Sequence, residues 1–300
     1  MKYWLVCVLF FSICTFSTLK AQGKSLIFEN DSIAIYDTYI SLNSKENISP
    51  TIYKNGILYA SENKLGFYKL YFSDLENDSQ KIKVNSKFHA GKVSVYKNEI
   101  YFTKSIKGLK PAISNVYDLA IFKGALVNNK ISKDKPLSIY KKGFMYAHPA
   151  ISKTGEQMVI ITNEKGFYHL LELKRDSNNE WQRSEVIFIT QTGFNIINPT
   201  IYDENTIYFS SNAHQAKVRE VEYTIENEKP VISNVIYEEG VFNIYKTNRV
   251  NGKWTLPQKV TVFNSKFDDL SVIFKTERTG FLNTFRYDNT DNIYYFELKY

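Results

Sequence analysis

Cysteine is almost missing from this 300-residue chain, and the two that occur, Cys7 and Cys14, both lie near its start. Beyond them the chain can form no disulfide, no thiolate metal site and no cysteine nucleophile. Histidine is scarce too. His89, His148, His169 and His214 show no His-x-His or His-x-x-x-His spacing, so no zinc-type ligand pair is written into the sequence. There is no Gly-x-Ser-x-Gly elbow and no glycine loop of the kind that cradles phosphate. After Phe16 no apolar run approaches the ~20 residues of a membrane-spanning helix. The formal charge of +7 is spread along the chain, with no basic cluster interleaved with aromatics, which argues against a nucleic-acid partner.

The first residues read as an export signal. Lys2 gives a short positive start, Trp4 to Phe16 is apolar apart from Ser12 and Thr15, and Leu19-Lys20-Ala21 places a small residue before Gln22. Cleavage there makes 1–21 a signal peptide and 22–300 a single mature domain, and removing Lys2 and Lys20 leaves a net charge of +5. Both cysteines leave with the signal. Lipid attachment at Cys14 is disfavoured, because Phe11-Ser12-Ile13 lacks the small residues that a lipobox sets beside its cysteine. The expected fate is therefore export, with no transmembrane segment in the mature chain.

What the chain has in quantity is aromatic residues, 15% with 22 Tyr and 21 Phe. Tyr, Phe, Ile and Val favour strands, and helical periodicity is absent throughout. The repeats give this composition an architecture. Ser49-Pro50-Thr51-Ile52-Tyr53-Lys54-Asn55-Gly56-Ile57-Leu58-Tyr59 superposes on His148-Pro149-Ala150-Ile151-Ser152-Lys153-Thr154-Gly155 and its sequel, and on Asn198-Pro199-Thr200-Ile201-Tyr202-Asp203-Glu204-Asn205-Thr206-Ile207-Tyr208. In each, proline opens a strand where its missing N–H costs least, a turn follows, and a second, strongly apolar strand begins at once. A third strand comes next (Phe67 to Phe72, Phe167 to Leu173, Val241 to Lys246). Trp181 and Trp254 then mark a fourth. Each repeat is a four-stranded meander.

Two weaker copies complete the set. One runs from Val93, which stands in the proline's place, to Phe102, with its third strand from Asp118 to Phe122. The other runs from Asp268 to Leu298 and stops after its third strand. Ser32 to Leu42 alternates apolar and polar residues and belongs to no repeat. If it supplies the strand the last repeat lacks, the ring loses its free edges. The expected fold is an all-β propeller of five four-stranded blades, starting near residues 48, 91, 147, 197 and 266 and closed by an N-terminal strand. Six blades is the alternative, because the 213–239 insertion, with Val218 to Tyr223 and Pro230 to Tyr237, is long enough to hide further strands. That insertion reads as a charged hairpin, either a solvated excursion or a binding arm.

The stretch Asn198 to Asn212, with its proline, turn and Ile207-Tyr208-Phe209-Ser210-Ser211-Asn212 strand, resembles the TolB-type, WD40-like propeller repeat, as do Phe242-Asn243-Ile244-Tyr245 and Gly252-Lys253-Trp254. The ending Lys266 to Ser271 and Asp291 to Tyr294 is similar to the last blade of OmpA-family envelope proteins of the Bacteroidota. The resemblance covers roughly residues 45 to 298. It implies a propeller of the cell envelope, in the periplasm or at the outer surface of a Gram-negative cell. The peptidoglycan-binding and helical additions of that family have no counterpart in these residues, and most blades lack its glycine-rich turn.

No catalytic, cofactor-binding or metal residue is assigned. Asp288-Asn289-Thr290-Asp291-Asn292 carries oxygen ligands without the spacing of a calcium loop. Asp268 and Asp269 open one inner strand, but the matching positions elsewhere hold Ser49, His148 and Asn198, so the converging carboxylates of a glycosidase are not apparent. Tyr53, Tyr101 and Tyr208 are expected in the blade core. What remains is binding. The expected role is a non-catalytic scaffold for another envelope protein, with a glycan-binding or glycan-cleaving propeller as the alternative.

Overall fold

The computed structural model describes residues 25–42, 45–106, 119–191, 193–213, 218–226, 229–237, 240–287 and 289–299. The expected signal peptide, His214 and Asp288 lie outside the described residues. Nearly every element is a strand. After β1 (Leu26–Glu29) and β2 (Ile33–Tyr36), the first blade comprises β3 (Asn47–Tyr53), β4 (Gly56–Glu62), β5 (Tyr68–Ser73) and β6 (Gln80–Lys81). The second holds β7 (Ala90–Tyr96), β8 (Glu99–Ser105), β9 (Leu119–Val127) and β10 (Lys130–Pro136). The third holds β11 (Tyr146–Ile151), β12 (Gln157–Thr162), β13 (His169–Arg175) and β14 (Trp181–Ile189).

The fourth blade starts with β15 (Ile196–Asp203) and β16 (Thr206–Ser211). The chain then leaves it as a separate two-stranded ribbon, β17 (Val218–Glu226) and β18 (Lys229–Tyr237). It returns as β19 (Asn243–Val250), flanked by the short β20 (Lys253–Trp254) and β21 (Gln258–Lys259). The last blade runs β22 (Asp269–Phe274), β23 (Thr279–Thr284) and β24 (Asn292–Leu298). Its fourth strand is β2, antiparallel to β24 with Ile35 opposite Phe296, and β1 adds a fifth outside it. The protein is a five-bladed β-propeller closed by its N-terminal strand. Six blades are excluded because the described strands of the insertion, β17 and β18, pair only with each other.

The apolar second strands explain why the ring forms. Along β8, Ile100 and Phe102 pack against Leu58 and Ala60 of the preceding blade, while Tyr101 between them packs against Met158 and Ile160 of the next. Successive side chains of a strand point to opposite faces, and here both faces are covered, so these strands read as continuous apolar runs. The same alternation places Val159 and Ile161 against Ile207 and Phe209, Tyr208 against Val272 and Phe296, and Ile57 and Tyr59 against Ile273 and Phe281. There are five blade interfaces and five core clusters. Each large side chain so buried contributes roughly 1.5–3 kcal/mol.

Charged groups tie the outer strands together by a repeated device. Arg175 at the end of β13 stacks on Trp181 (4.6 Å) and donates to Glu99 and to the Tyr101 hydroxyl of the preceding blade, both at 3.0 Å. Arg249, one blade on, stacks on Trp254 (4.5 Å) and reaches Glu172 of the preceding blade at 2.7 and 2.8 Å. The tryptophans thus serve as platforms that hold an arginine across the blade interface.

Candidate functional site

Each inner strand carries a bulge where the register against its neighbour slips: between Ile48 and Thr51, Gly91 and Val93, Ala147 and Ala150, Ile197 and Thr200, and Asp269 and Ser271. The slipped positions hold Ser49, Lys92, His148, Asn198 and Leu270. A bulge re-aims a side chain, and these five surround the ring axis. Ser49, His148 and Asn198 each precede a proline and adopt left-handed backbone, with φ of 57°, 54° and 49°. Such backbone is strained for residues with a Cβ and persists where the surroundings impose it.

Hydrogen bonds hold the axial groups. Ser49 Oγ donates to Asn198 Oδ1 (2.7 Å), His148 Nδ1 lies 2.9 Å from the same oxygen, and Asn198 Nδ2 donates to the Leu270 carbonyl (3.1 Å). Lys92 Nζ donates to the Pro50 carbonyl at 3.2 Å. Burial lowers the His148 pKa to about 4; its bond to Asn198 opposes the shift and the charge of Lys92 adds to it. Burial alone lowers Lys92 to about 7. The imidazole is therefore neutral over the physiological range, and the ammonium is half titrated near pH 7.

Between this level and the turns that end the inner strands lies a cavity of about 580 Å³ on the ring axis. Lys92, Ser94, Tyr96, Ser152, Thr200 and Tyr202 are among its lining residues, Lys97 and Lys153 stand at its rim, and among the described residues no Asp or Glu lines it. Gly155, in the turn beneath Lys153 and Thr154, has φ of 81°, and a Cβ there would meet the Tyr96 ring at 2.4 Å, so the third blade's turn seats on the second blade's aromatic rim.

The opposite end of the axis is where the acidic residues gather. Asp269 is buried and spent on structure: Arg286 Nη2 lies 2.7 Å away, and the carboxylate accepts from Ser265 N (2.6 Å) and Thr284 Oγ1 (2.7 Å). Asp268 accepts from Phe242 N at 2.7 Å. Asp291 is raised to about 6, first by burial and then by the charges of Glu46 and Asp268. At the start of β24, Asn292 accepts from Asn47 Nδ2 (3.0 Å) and donates to the Ser41 carbonyl (3.2 Å), so its amide is a structural clamp. Among the described residues, no three His, Cys, Asp or Glu gather as a metal would require. No helix of the described residues is long and apolar enough to cross a membrane.

Of the other described histidines, His89 packs on Phe67 (ring centroids 5.3 Å), and His169 is buried with Nδ1 2.9 Å from the Phe167 carbonyl. Tyr101 and Tyr208 are buried and Tyr53 packs against the first interface. Sequence reasoning aligned Ser49, His148 and Asn198 but passed over Lys92. The signal was present: with Val93 in the proline's place, Lys92 falls at the same repeat position.

The β17–β18 ribbon is the other exposed feature. Tyr223 is 59% and Ile225 79% exposed, on one face of β17, while Glu222, Thr224 and Glu226 alternate with them.

No family model matches the chain, and no curated protein does. Among solved structures it is similar to a gluconolactonase from Xanthomonas campestris, with a TM-score of 0.49 and 9% identity over 93% of this chain and 92% of that one. TolB from Acinetobacter baumannii gives a TM-score of 0.43 and 12% identity over 84% of this chain and 54% of that one. A Mycobacterium tuberculosis puromycin-hydrolyzing peptidase gives 0.44 and 10% over 85% of this chain, which spans 36% of its length. These likenesses concern the propeller fold alone.

Proposed function

We propose that this chain is an exported, non-catalytic propeller that binds another protein of the cell envelope, with the β17–β18 ribbon as its contact arm. The observation that carries this reading is the ribbon's isolation. It pairs with no blade, and it presents Tyr223 and Ile225 to solvent. A lone two-stranded ribbon is marginally stable in water, and large apolar side chains with open strand edges are a liability unless a partner covers them. Aromatic and aliphatic anchors beside acidic rim residues suit a protein groove or edge strand, where β-augmentation would pair the open edge. The signal-like N-terminus and the TolB-type repeats support an envelope setting. Among the described residues no Asp or Glu lines the axial cavity, where a two-carboxylate glycosidase mechanism would need a converging pair.

The test is a photo-crosslinker at position 225 in the native cell, read by mass spectrometry. A discrete protein adduct, depleted at least about fivefold by Tyr223→Ser elsewhere on the same face, supports the reading, since such an anchor carries ~1 kcal/mol or more. Recovery of no adduct, or of one indifferent to Tyr223→Ser, would sink it.

A further inference from the structure

We propose that the axial cavity binds a small hydroxylated carboxylate, its anionic group held by Lys92. This is independent of the ribbon and its partner. Lys92 is only 5% exposed, lines the cavity, and forms no ion pair among the described residues. Its ammonium has three N–H donors, and the Pro50 carbonyl takes one of them. A buried cation without a counter-charge is costly unless it loses its proton or gains an anion. The Thr200 hydroxyl, which also lines the cavity, is buried with no hydrogen-bond partner. Ser94 Oγ accepts from Ile151 N at 2.9 Å and keeps its own proton to donate. An ammonium and two hydroxyls thus stand on one wall system with donors to spare, and no carboxylate there competes for them.

The ligand's size and charge follow from the walls. A cavity of about 580 Å³ is of the size that holds a small molecule and is far too small for a folded partner. One buried ammonium balances one negative charge, which favours a carboxylate over a phosphate dianion. Lys97 and Lys153 are exposed at the rim, where solvent screens them and they can draw an anion inward without holding it. Tyr96 and Tyr202 also line the cavity, and ligand hydroxyls suit the Ser and Thr lining. His148 on β11 feels the charge of Lys92 and is neutral at neutral pH, so Lys92 supplies the charge that responds to the ligand.

Calorimetric titration of the purified protein at about pH 6, where Lys92 is protonated, tests this with glucuronate, galacturonate and lactate as probes, and with methyl glucoside and inorganic phosphate as controls. Saturable binding of at least one carboxylate below about 1 mM, weakened about tenfold or more in Lys92→Met and less than about threefold in Lys97→Ala/Lys153→Ala, is expected. Binding of phosphate or methyl glucoside in place of every carboxylate, or equal affinity in Lys92→Met, would overturn the proposal. The wild-type protein gives a second reading that needs no variant. With lysine labelled with 13C at Cε, the bound carboxylate should raise the Lys92 titration midpoint by about one unit or more, and an unmoved midpoint would also overturn it.

Discussion

His148 and Asn198, fifty residues apart in sequence, meet on the axis of the ring: His148 Nδ1 lies 2.9 Å from Asn198 Oδ1 and 3.1 Å from Asn198 N. The neutral imidazole offers one function at Nδ1, so it either donates to the amide oxygen or accepts from the backbone N–H. Asn198 also receives Ser49 Oγ and reaches Leu270 O, so a single amide joins bulges from four blades of the five when its own is counted.

Asn198→Leu should therefore destabilise the protein by about 2–4 kcal/mol, because it strands the Ser49 hydroxyl and the Leu270 carbonyl in a buried setting. Urea unfolding followed by tryptophan fluorescence should show a lower midpoint at unchanged slope. A loss below about 1 kcal/mol would mean that the axial network contributes little.

Lys92→Met should stabilise the protein near neutral pH, with the gain disappearing in alkali. The folded-state pKa of Lys92, about 7, lies below its ordinary value of 10.5. Between these the unfolded chain binds a proton that the folded one does not, so wild-type stability rises with pH through that window. The penalty is fully present below pH 7 and absent above about 10.5, and the variant lacks it at every pH. Thermal unfolding of both proteins across that range measures the difference directly, and a pH-independent difference would contradict the burial argument.

Asp291→Asn should show the opposite pH dependence. Asp291 is raised from 3.8 to about 6, so the folded state holds its proton more tightly and the associated stability is present below pH 3.8 and lost as pH rises through 6. Relative to wild type, the variant should gain stability at pH 7–8 and show little change near pH 4. Direct titration of the Asp291 carboxyl by NMR would give the midpoint, and a value near 4 would remove the basis for this expectation.

Ile35→Ala should cost about 2–5 kcal/mol, as for other large-to-small changes at fully buried sites. Ile35 is buried in the interface between the fourth and fifth blades and pairs with Phe296, so the deletion weakens the closing strand. Hydrogen exchange should show faster opening of β24 in the variant than of β12, which lies across the ring. Equal acceleration of both would mean that closure is no weaker than the rest of the ring.

Much of the architecture could be read from the residues. Pro50, Pro149 and Pro199 announced the inner strands, the continuous apolar runs announced the second strands, and the orphan segment from Ser32 announced the closure. Local rules sufficed there because a strand covered on both faces must be apolar throughout. The fourth strands were harder. β20 and β21 are two residues each and carry no alternation, so Trp254 was their only mark. β1 was not anticipated, since Leu26 to Glu29 is largely exposed at the edge of its sheet.

The sequence by itself determined the four-stranded repeat and the absence of cysteine chemistry beyond the N-terminus, because these depend on period, turn residues and residue type. Only the tertiary structure decided that the blades number five, that the insertion stands apart as a ribbon, that Asp269 is neutralised by Arg286, and that Lys92 and His148 share the axis. Those facts depend on which side of a bulge a side chain emerges and on what the neighbouring blades place opposite it. A lysine in a strand looks the same in sequence whether it meets water or a buried wall, and closure of the ring is what takes the water away.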